Sequence, residues 1–179
     1  VASDELNRLV SVAGLDWRAV HVIRAYLEYA RQIGQAPAWT LGCDALARHP
    51  EATRALAALF HARFDPGLEA KREPALAGAA SALAAARVPI RSAAEDRVFG
   101  LLESLILATL RTSFFAAASP ADPHELALKL DSRAIAGIPA PVPVCEIFVH
   151  SSEFIGIHLR GGKVARGGLR WSDRREDFR

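Results

Sequence analysis

The segment that runs from Arg160 to Arg175 is the part of the chain best suited to bind a ligand. Its sequence, RGGKVARGGLRWSDRR, places basic side chains among four glycines. Glycine lets backbone N–H groups approach a ligand closely, and a guanidinium binds a carboxylate or phosphate through two parallel hydrogen bonds. The combination predicts a small-anion site in a loop that leaves a β-strand. The candidate basic residues are Arg160, Lys163, Arg166 and Arg170.

The same residues allow two other interpretations. In the first, a basic hairpin has a purely structural role, and its arginines pair with nearby acidic side chains. The available acids are Glu153, Asp173 and Glu176. In the second, the Arg-Gly-Gly triplets at 160–162 and 166–168 bind RNA. Such triplets bind RNA mostly in long low-complexity arrays, whereas here they stand between strand-like segments, so RNA binding is disfavoured.

No metal site and no nucleophilic triad is predicted from the remaining residues. The six histidines show no spacing of three or four residues that would suggest a ligand pair on a helix. His150 and His158 fall on adjacent candidate strands and are interpreted as an ordinary cross-strand polar pair that can face each other. Cys43 and Cys145 are interpreted as two small, half-buried thiols rather than a disulfide or a reactive site. The sequence has no phosphate-binding loop and no dinucleotide-binding fingerprint.

Composition predicts a folded chain with no strong preference for a charged partner. Hydrophobic residues make up 51% of the 179 positions, and 22 basic residues face 20 acidic ones. The longest apolar stretch, at 101–110, contains Glu103, Ser104 and Thr109, so no membrane span is expected. No basic segment precedes an apolar one in the manner of a signal peptide, so no secretory signal is expected either. Because the chain starts at Val1 and has no methionine, we expect both ends to lie inside a longer protein.

The first two thirds of the chain have helical patterns. Ser3 is the expected cap of a first short helix, and Asp16 that of a longer helix that ends at Gly34. Further helices are predicted to begin at Pro50 and near residue 75. The clearest pattern is the capping box formed by Ser92 and Glu95, which predicts a long helix that ends near residue 114 or 118.

The last third has strand patterns. Leucines alternate with other residues at 126–130, and further apolar alternation occurs at 144–150, 155–159 and 169–171. The predicted fold is therefore α+β: a helical bundle followed by a small, incomplete, mostly antiparallel β region. The division is placed at 118, which gives a helical region of residues 1–118 and a β region of residues 119–179.

The segment 164–179, VARGGLRWSDRREDFR, closely resembles the large-subunit, bacterial class of NAD-dependent glutamate dehydrogenases. Stretches upstream resemble the same family, so that nearly the whole chain is covered. These stretches are Asp4–Leu9, Arg24–Tyr26, Arg31–Gly34, His49–Glu51, Phe64–Pro66, Glu95–Arg97, Ala108–Thr112, Leu130–Arg133 and Glu146–Val149.

The resemblance implies specific roles for four residues. Smaller glutamate dehydrogenases carry a Lys-Gly-Gly-x-Arg motif at the start of their substrate domain, and its lysine contacts a substrate carboxylate. Arg166 stands at the lysine's position here and is followed by Gly167, Gly168 and Arg170. The resemblance therefore implies that these four residues bind substrate and that residues 119–179 are the first part of the substrate domain.

The resemblance also implies a reaction, the reversible oxidative deamination of L-glutamate to 2-oxoglutarate and ammonium with NAD. It places the catalytic lysine and aspartate, and the domain that binds NAD, beyond this chain. We therefore expect no catalytic, cofactor-binding or metal-binding residue here, and no activity of the chain alone. The implied full-length enzyme is a cytoplasmic homo-oligomer without nucleic-acid or membrane partners. The alternative is a non-catalytic helical module whose basic hairpin docks acidic partners.

Overall fold

The computed structural model describes residues 4–116, 125–138, 140–162 and 170–171. Of residues 170 and 171 only the backbone is described. Within these residues six α-helices precede one antiparallel sheet, and short 3-10 helices occur between some of these elements. This arrangement confirms the predicted α+β class. The helices are α1 (Leu9–Val12), α2 (Trp17–Gln32), α3 (Trp39–Arg48), α4 (Pro50–Phe64), α5 (Arg72–Arg87) and α6 (Ala93–Ala108). The strands are β1 (Thr109–Thr112), β2 (Leu126–Leu130), β3 (Cys145–His150), β4 (Ile155–Arg160) and β5 (Arg170–Trp171).

Most of the predicted helix boundaries are confirmed. The Asp16 carboxylate accepts a hydrogen bond from the Ala19 backbone N–H at 2.7 Å, as an N-cap does. Gly34 follows α2 with φ of 74°, a left-handed conformation that glycine adopts without steric cost. Pro50 is the first residue of α4, where the missing N–H of proline costs no helical hydrogen bond.

Two of the smaller predictions need correction. The cap of the first turn is Asp4, whose side chain accepts from the Leu6 backbone N–H at 3.0 Å, whereas Ser3 lies outside the described residues. The sequence also predicts a weak segment bracketed by Pro37 and Gly42, but Gly42 lies inside α3.

The capping box is only half formed. The Ser92 hydroxyl accepts from the Glu95 backbone N–H at 3.3 Å. The Glu95 carboxylate does not complete the box, because it accepts from the Arg48 guanidinium and from Nε2 of His49, the latter at 2.8 Å. This buried carboxylate therefore attaches the start of α6 to the junction of α3 and α4.

The predicted length of α6 is wrong, because the helix ends at Ala108 and the chain continues as β1. The Ala108 carbonyl accepts from the Asp131 N–H at 2.9 Å, and the Thr109 carbonyl accepts from Arg63 Nε and Nη2 at 3.1 and 3.0 Å. The Thr109 hydroxyl lies 2.8 Å from the Tyr26 hydroxyl. Residues far away in sequence therefore end the helix. The apolar pattern of the helix does not indicate these partners, so its end cannot be predicted from that pattern.

The sheet has the strand order β1-β2-β3-β4-β5, with every neighbouring pair antiparallel. Leu128 pairs with Phe148, and Phe148 pairs with Ile157, so these three side chains share the face that packs on the helices. Each of them is at most 1% exposed. The same buried cluster contains apolar side chains of α2, α3, α4 and α6, so the helices and the sheet share one core.

The two cysteines are free, in agreement with the sequence interpretation, and both are buried rather than half-buried. Burial raises the pKa of the Cys43 thiol to about 12, which leaves almost no thiolate at neutral pH. In the part of the chain that the structure describes, no helix combines the length and the apolar character needed to cross a bilayer.

The Thr109→Val substitution tests the interaction that ends α6. It keeps the shape of the side chain and leaves the buried Tyr26 hydroxyl without its partner, so we expect the free energy of unfolding to fall by about 1–3 kcal/mol. Chemical denaturation followed by circular dichroism measures the change. Thr40→Val, at an exposed position of α3, is the matched control and should change stability by less than about 0.5 kcal/mol. Equal effects of the two substitutions would show that the Thr109 hydroxyl does not hold this junction.

Candidate functional site

The predicted ligand-binding segment begins where β4 ends. Arg160 is the last residue of β4, and its carbonyl accepts from the Val144 N–H at 2.7 Å. Gly161 and Gly162 are exposed, and apart from their chain neighbours no atom of the described residues lies within 4 Å of the place where a Cβ would stand at either of them. Neither has a positive φ. In the described part of the chain, neither crowding nor backbone conformation therefore requires glycine at these two positions.

The structure positions only one of the four predicted substrate-binding residues. The backbone of Arg170 belongs to β5 and pairs with Ile157 of β4. Arg166, Gly167 and Gly168 lie outside the described residues. The structure thus describes the chain at the end of β4 and again in β5, which pairs with β4. The contacts of these four residues with substrate remain a prediction.

Glu146 is a fully buried carboxylate in the strand next to β4. It lies opposite Leu159 in the sheet, and its Oε2 accepts from the Tyr29 hydroxyl at 2.9 Å. The ring of Tyr29 also packs edge-on against Phe148, with the centroids 5.3 Å apart. A buried carboxylate is costly unless it accepts hydrogen bonds, so this contact favours one arrangement of α2 on β3.

His150 contacts His21 of α2 rather than His158. The distance between His150 Nδ1 and His21 Nε2 is 3.2 Å, and the rings meet edge-on with centroids 5.0 Å apart. The prediction that His150 and His158 could face each other is wrong. His150 pairs with Ile155 and His158 pairs with Ile147, an offset of three residues that puts the two histidines on opposite faces of the sheet.

The surroundings of His150 favour its neutral form. Burial lowers its pKa to about 4, and the electrostatic effects of His21 and Arg24 act in the same direction, while Asp4 opposes them. Arg24 is itself buried and bound to Asp4, with Nε to Oδ2 at 2.5 Å and Nη2 to Oδ1 at 2.8 Å. At neutral pH the His21–His150 contact is therefore a hydrogen bond in which the neutral His150 ring can accept or donate.

These polar contacts between α2 and the sheet are not predicted from the sequence. A pattern that points to them exists in β3, where Glu146 and His150 alternate with the fully buried Phe148 and therefore share its inward face. On α2, His21 and Tyr29 are eight residues apart and fall on the same broad helical stripe. The pattern indicates polar groups between the layers but does not identify which helix supplies the partners.

The described side chains include no group of three or more His, Cys, Asp or Glu residues that could hold a metal ion. The contacts around β3 are hydrogen bonds and ion pairs that position strands. They hold the strand that lies next to the predicted site at the end of β4.

Comparison with known families identifies the chain. The model of the bacterial NAD-glutamate dehydrogenase catalytic domain matches residues 83–179, and the model of glutamate dehydrogenase helical motif 3 matches residues 1–66. The chain belongs to the bacterial NAD-glutamate dehydrogenase family. The catalytic-domain match begins within α5 and includes α6, and the division at residue 118 remains a prediction.

Individual relatives are similar along the whole chain. The NAD-specific glutamate dehydrogenase of Halomonas elongata is 44% identical over 178 residues, which are 99% of this chain. The proteins of the same name from Mycobacterium tuberculosis and Pseudomonas aeruginosa are 43% and 42% identical over 182 and 190 residues, which cover 100% and 99% of this chain. The chain spans 11% of the length of each of these relatives.

The shifted pKa of His150 predicts a dependence of stability on pH. The unfolded chain takes up a proton near pH 6.5 and the folded chain near pH 4, so the free energy of unfolding should fall as the pH drops from about 6.5 towards 4. Between pH 7 and pH 5 the loss should be about 2 kcal/mol. Urea unfolding at the two pH values measures it.

The variant His150→Gln should lose this contribution, and His158→Gln, at a half-buried position on the other face of the sheet, should keep it. If His150→Gln retains the full pH dependence, other groups are responsible for it.

Proposed function

We propose that the chain is part of an NAD-dependent glutamate dehydrogenase that catalyses the reversible oxidative deamination of L-glutamate to 2-oxoglutarate and ammonium. The supporting observation is the match of the two family models, together with relatives named NAD-specific glutamate dehydrogenase that are 42–44% identical along the chain. The similarity includes the helices and the sheet alike, so no observation favours a separate helical module with an added hairpin.

In this proposal the chain supplies part of the site for the substrate carboxylates. Arg166 and Arg170 bind carboxylate oxygens, and Gly167 and Gly168 let the backbone approach the substrate. The antiparallel pairing of Arg170 with Ile157 gives the segment a fixed return point beside β4. An arginine at position 166 presents a planar pair of donors where smaller relatives have the single ammonium of lysine, which suits a carboxylate held through both oxygens.

The cofactor NAD, which accepts the hydride when bound, does not fit the described part of this chain. The phosphates of a dinucleotide are usually bound where a glycine-rich turn leads from a strand into a helix N-terminus. The described strands instead follow each other in an antiparallel sheet, and no such turn occurs among them. We therefore propose that NAD binds outside this chain and assign no step involving it to these residues.

The proposed full-length enzyme carries its catalytic lysine and aspartate outside this chain, acts in the cytoplasm and forms a homo-oligomer. Within it, Arg166, Gly167, Gly168 and Arg170 bind and orient substrate. The Tyr29–Glu146 and His21–His150 contacts hold the strand beside which the binding segment starts.

The chain alone should show no glutamate-dependent reduction of NAD, because it lacks both the cofactor domain and the proposed proton-transfer residues. An absorbance assay for NADH, with the full-length enzyme as positive control, measures this. Turnover by the isolated chain would contradict the proposed division of labour.

Arg166→Gln in the full-length enzyme should lower kcat/KM for glutamate by about 10- to 100-fold, because a charge-assisted hydrogen bond contributes about 1.5–3 kcal/mol. Steady-state kinetics at varied glutamate and saturating NAD measures the loss. Arg97→Gln is the matched control, since Arg97 is exposed on α6 and forms no ion pair among the described residues. Unchanged kinetics of Arg166→Gln would remove Arg166 from the site.

A further inference from the structure

An open groove of about 790 Å³ lies between the end of α4, the start of α5 and the edge strand β1. This volume is within the range of clefts that bind small organic molecules. One part of its wall is basic and another part is apolar. The basic side chains are Arg63, Arg72 and Arg111, and the apolar ones include Phe64, Leu76 and Phe115.

The positive charge of the groove is not neutralised within the described part of the chain. None of the three arginines forms an ion pair there, and the single acidic side chain in the groove wall, Glu69, is exposed. Burial lowers the pKa of Arg63, and the nearby positive charge of Arg72 acts in the same direction, against an opposing effect of Tyr26. Like charges held this close favour the binding of an anion.

Two of the arginines are held in position by backbone carbonyls. Arg63 donates through Nε and Nη2 to the Thr109 carbonyl. Arg72 donates to carbonyls at the end of α4, including that of Asp65 at 3.0 Å. A carbonyl fixes the direction of a guanidinium but carries no net charge, so the groups are preorganised and still attract an anion. Arg111 is exposed, and its side chain forms no hydrogen bond within the described residues.

The shape of the groove limits the kind of ligand. A small inorganic anion would leave the apolar wall in contact with water. A peptide that adds a strand to β1 is disfavoured, because Arg63 already occupies the Thr109 carbonyl, which points away from β2. We propose that the groove binds an organic anion with an apolar body, whose carboxylate or phosphate contacts the arginines while the body packs on Phe64, Leu76 and Phe115.

The experiment is calorimetric titration of the full-length protein with octanoate, octyl phosphate and 1-octanol, which share the same apolar chain. We expect the two anions to bind at least about tenfold more tightly than the alcohol, because their head groups form charge-assisted hydrogen bonds. The tighter of the two anions identifies the preferred head group. This readout requires no activity, so it is independent of the proposed dehydrogenase function.

Two variants locate the binding. Arg111→Gln should raise the dissociation constant of the better anion about tenfold, and Leu110→Asp, which places a carboxylate in the groove wall at a 48%-exposed position, should raise it further. Arg97→Gln, on α6, should leave binding unchanged. The proposal is overturned if neither anion binds, if octanol binds as tightly as they do, or if both groove variants bind like the unchanged protein.

Discussion

The hydrogen bonds between α2 and the sheet are the constraint on which the arrangement of this chain depends. Tyr26 binds Thr109 at the start of β1, Tyr29 binds Glu146 in β3, and His21 contacts His150 at the end of β3. A buried polar group without a partner costs about 1–3 kcal/mol. A one-residue slip of β3 would turn Glu146 and His150 to the other face and remove two of these contacts together. The same slip would turn the fully buried Phe148 out of the core, so the apolar packing and the polar contacts specify the same register.

This constraint explains why the helical region and the sheet do not form separate cores. Helix α2 comes early in the sequence, yet its buried side chains cover the sheet that the last third of the chain forms. Arg63 of α4 likewise joins the helices to the sheet, because it donates to the Thr109 carbonyl, where α6 ends and β1 begins. A helical module with an independent basic hairpin would not need these contacts, which hold β3, the strand that pairs with β4.

The sequence predicted the features that depend on neighbouring residues. The cap at Asp16, the start of α4 at Pro50 and the alternation in β2 each involve side chains a few positions apart, and all are present. The end of α6 depends on Tyr26, which lies 83 positions before its partner Thr109. The partner of His150 is His21, which lies 129 positions earlier in the chain. No local pattern contains that information. For the substrate-binding residues, residue types left a structural hairpin and an anion site both open, and only the family resemblance favoured the second.

Some of the described arginines form ion pairs with carboxylates, whereas others bind only backbone carbonyls. This difference affects which of them can bind an anion. Arg24 is paired with Asp4, and Arg87 with Asp96 and Glu103, so a further anion would have to displace a carboxylate that is already well placed. Arg63 and Arg72 are bound to carbonyls instead, which orient a guanidinium without cancelling its charge. A carboxylate ligand gains most from the second kind of arginine, because the group is already oriented and no internal ion pair must break. The same criterion applies to the segment after β4: for Arg166 and Arg170 to bind substrate, the protein must hold them by groups that a glutamate carboxylate does not have to replace.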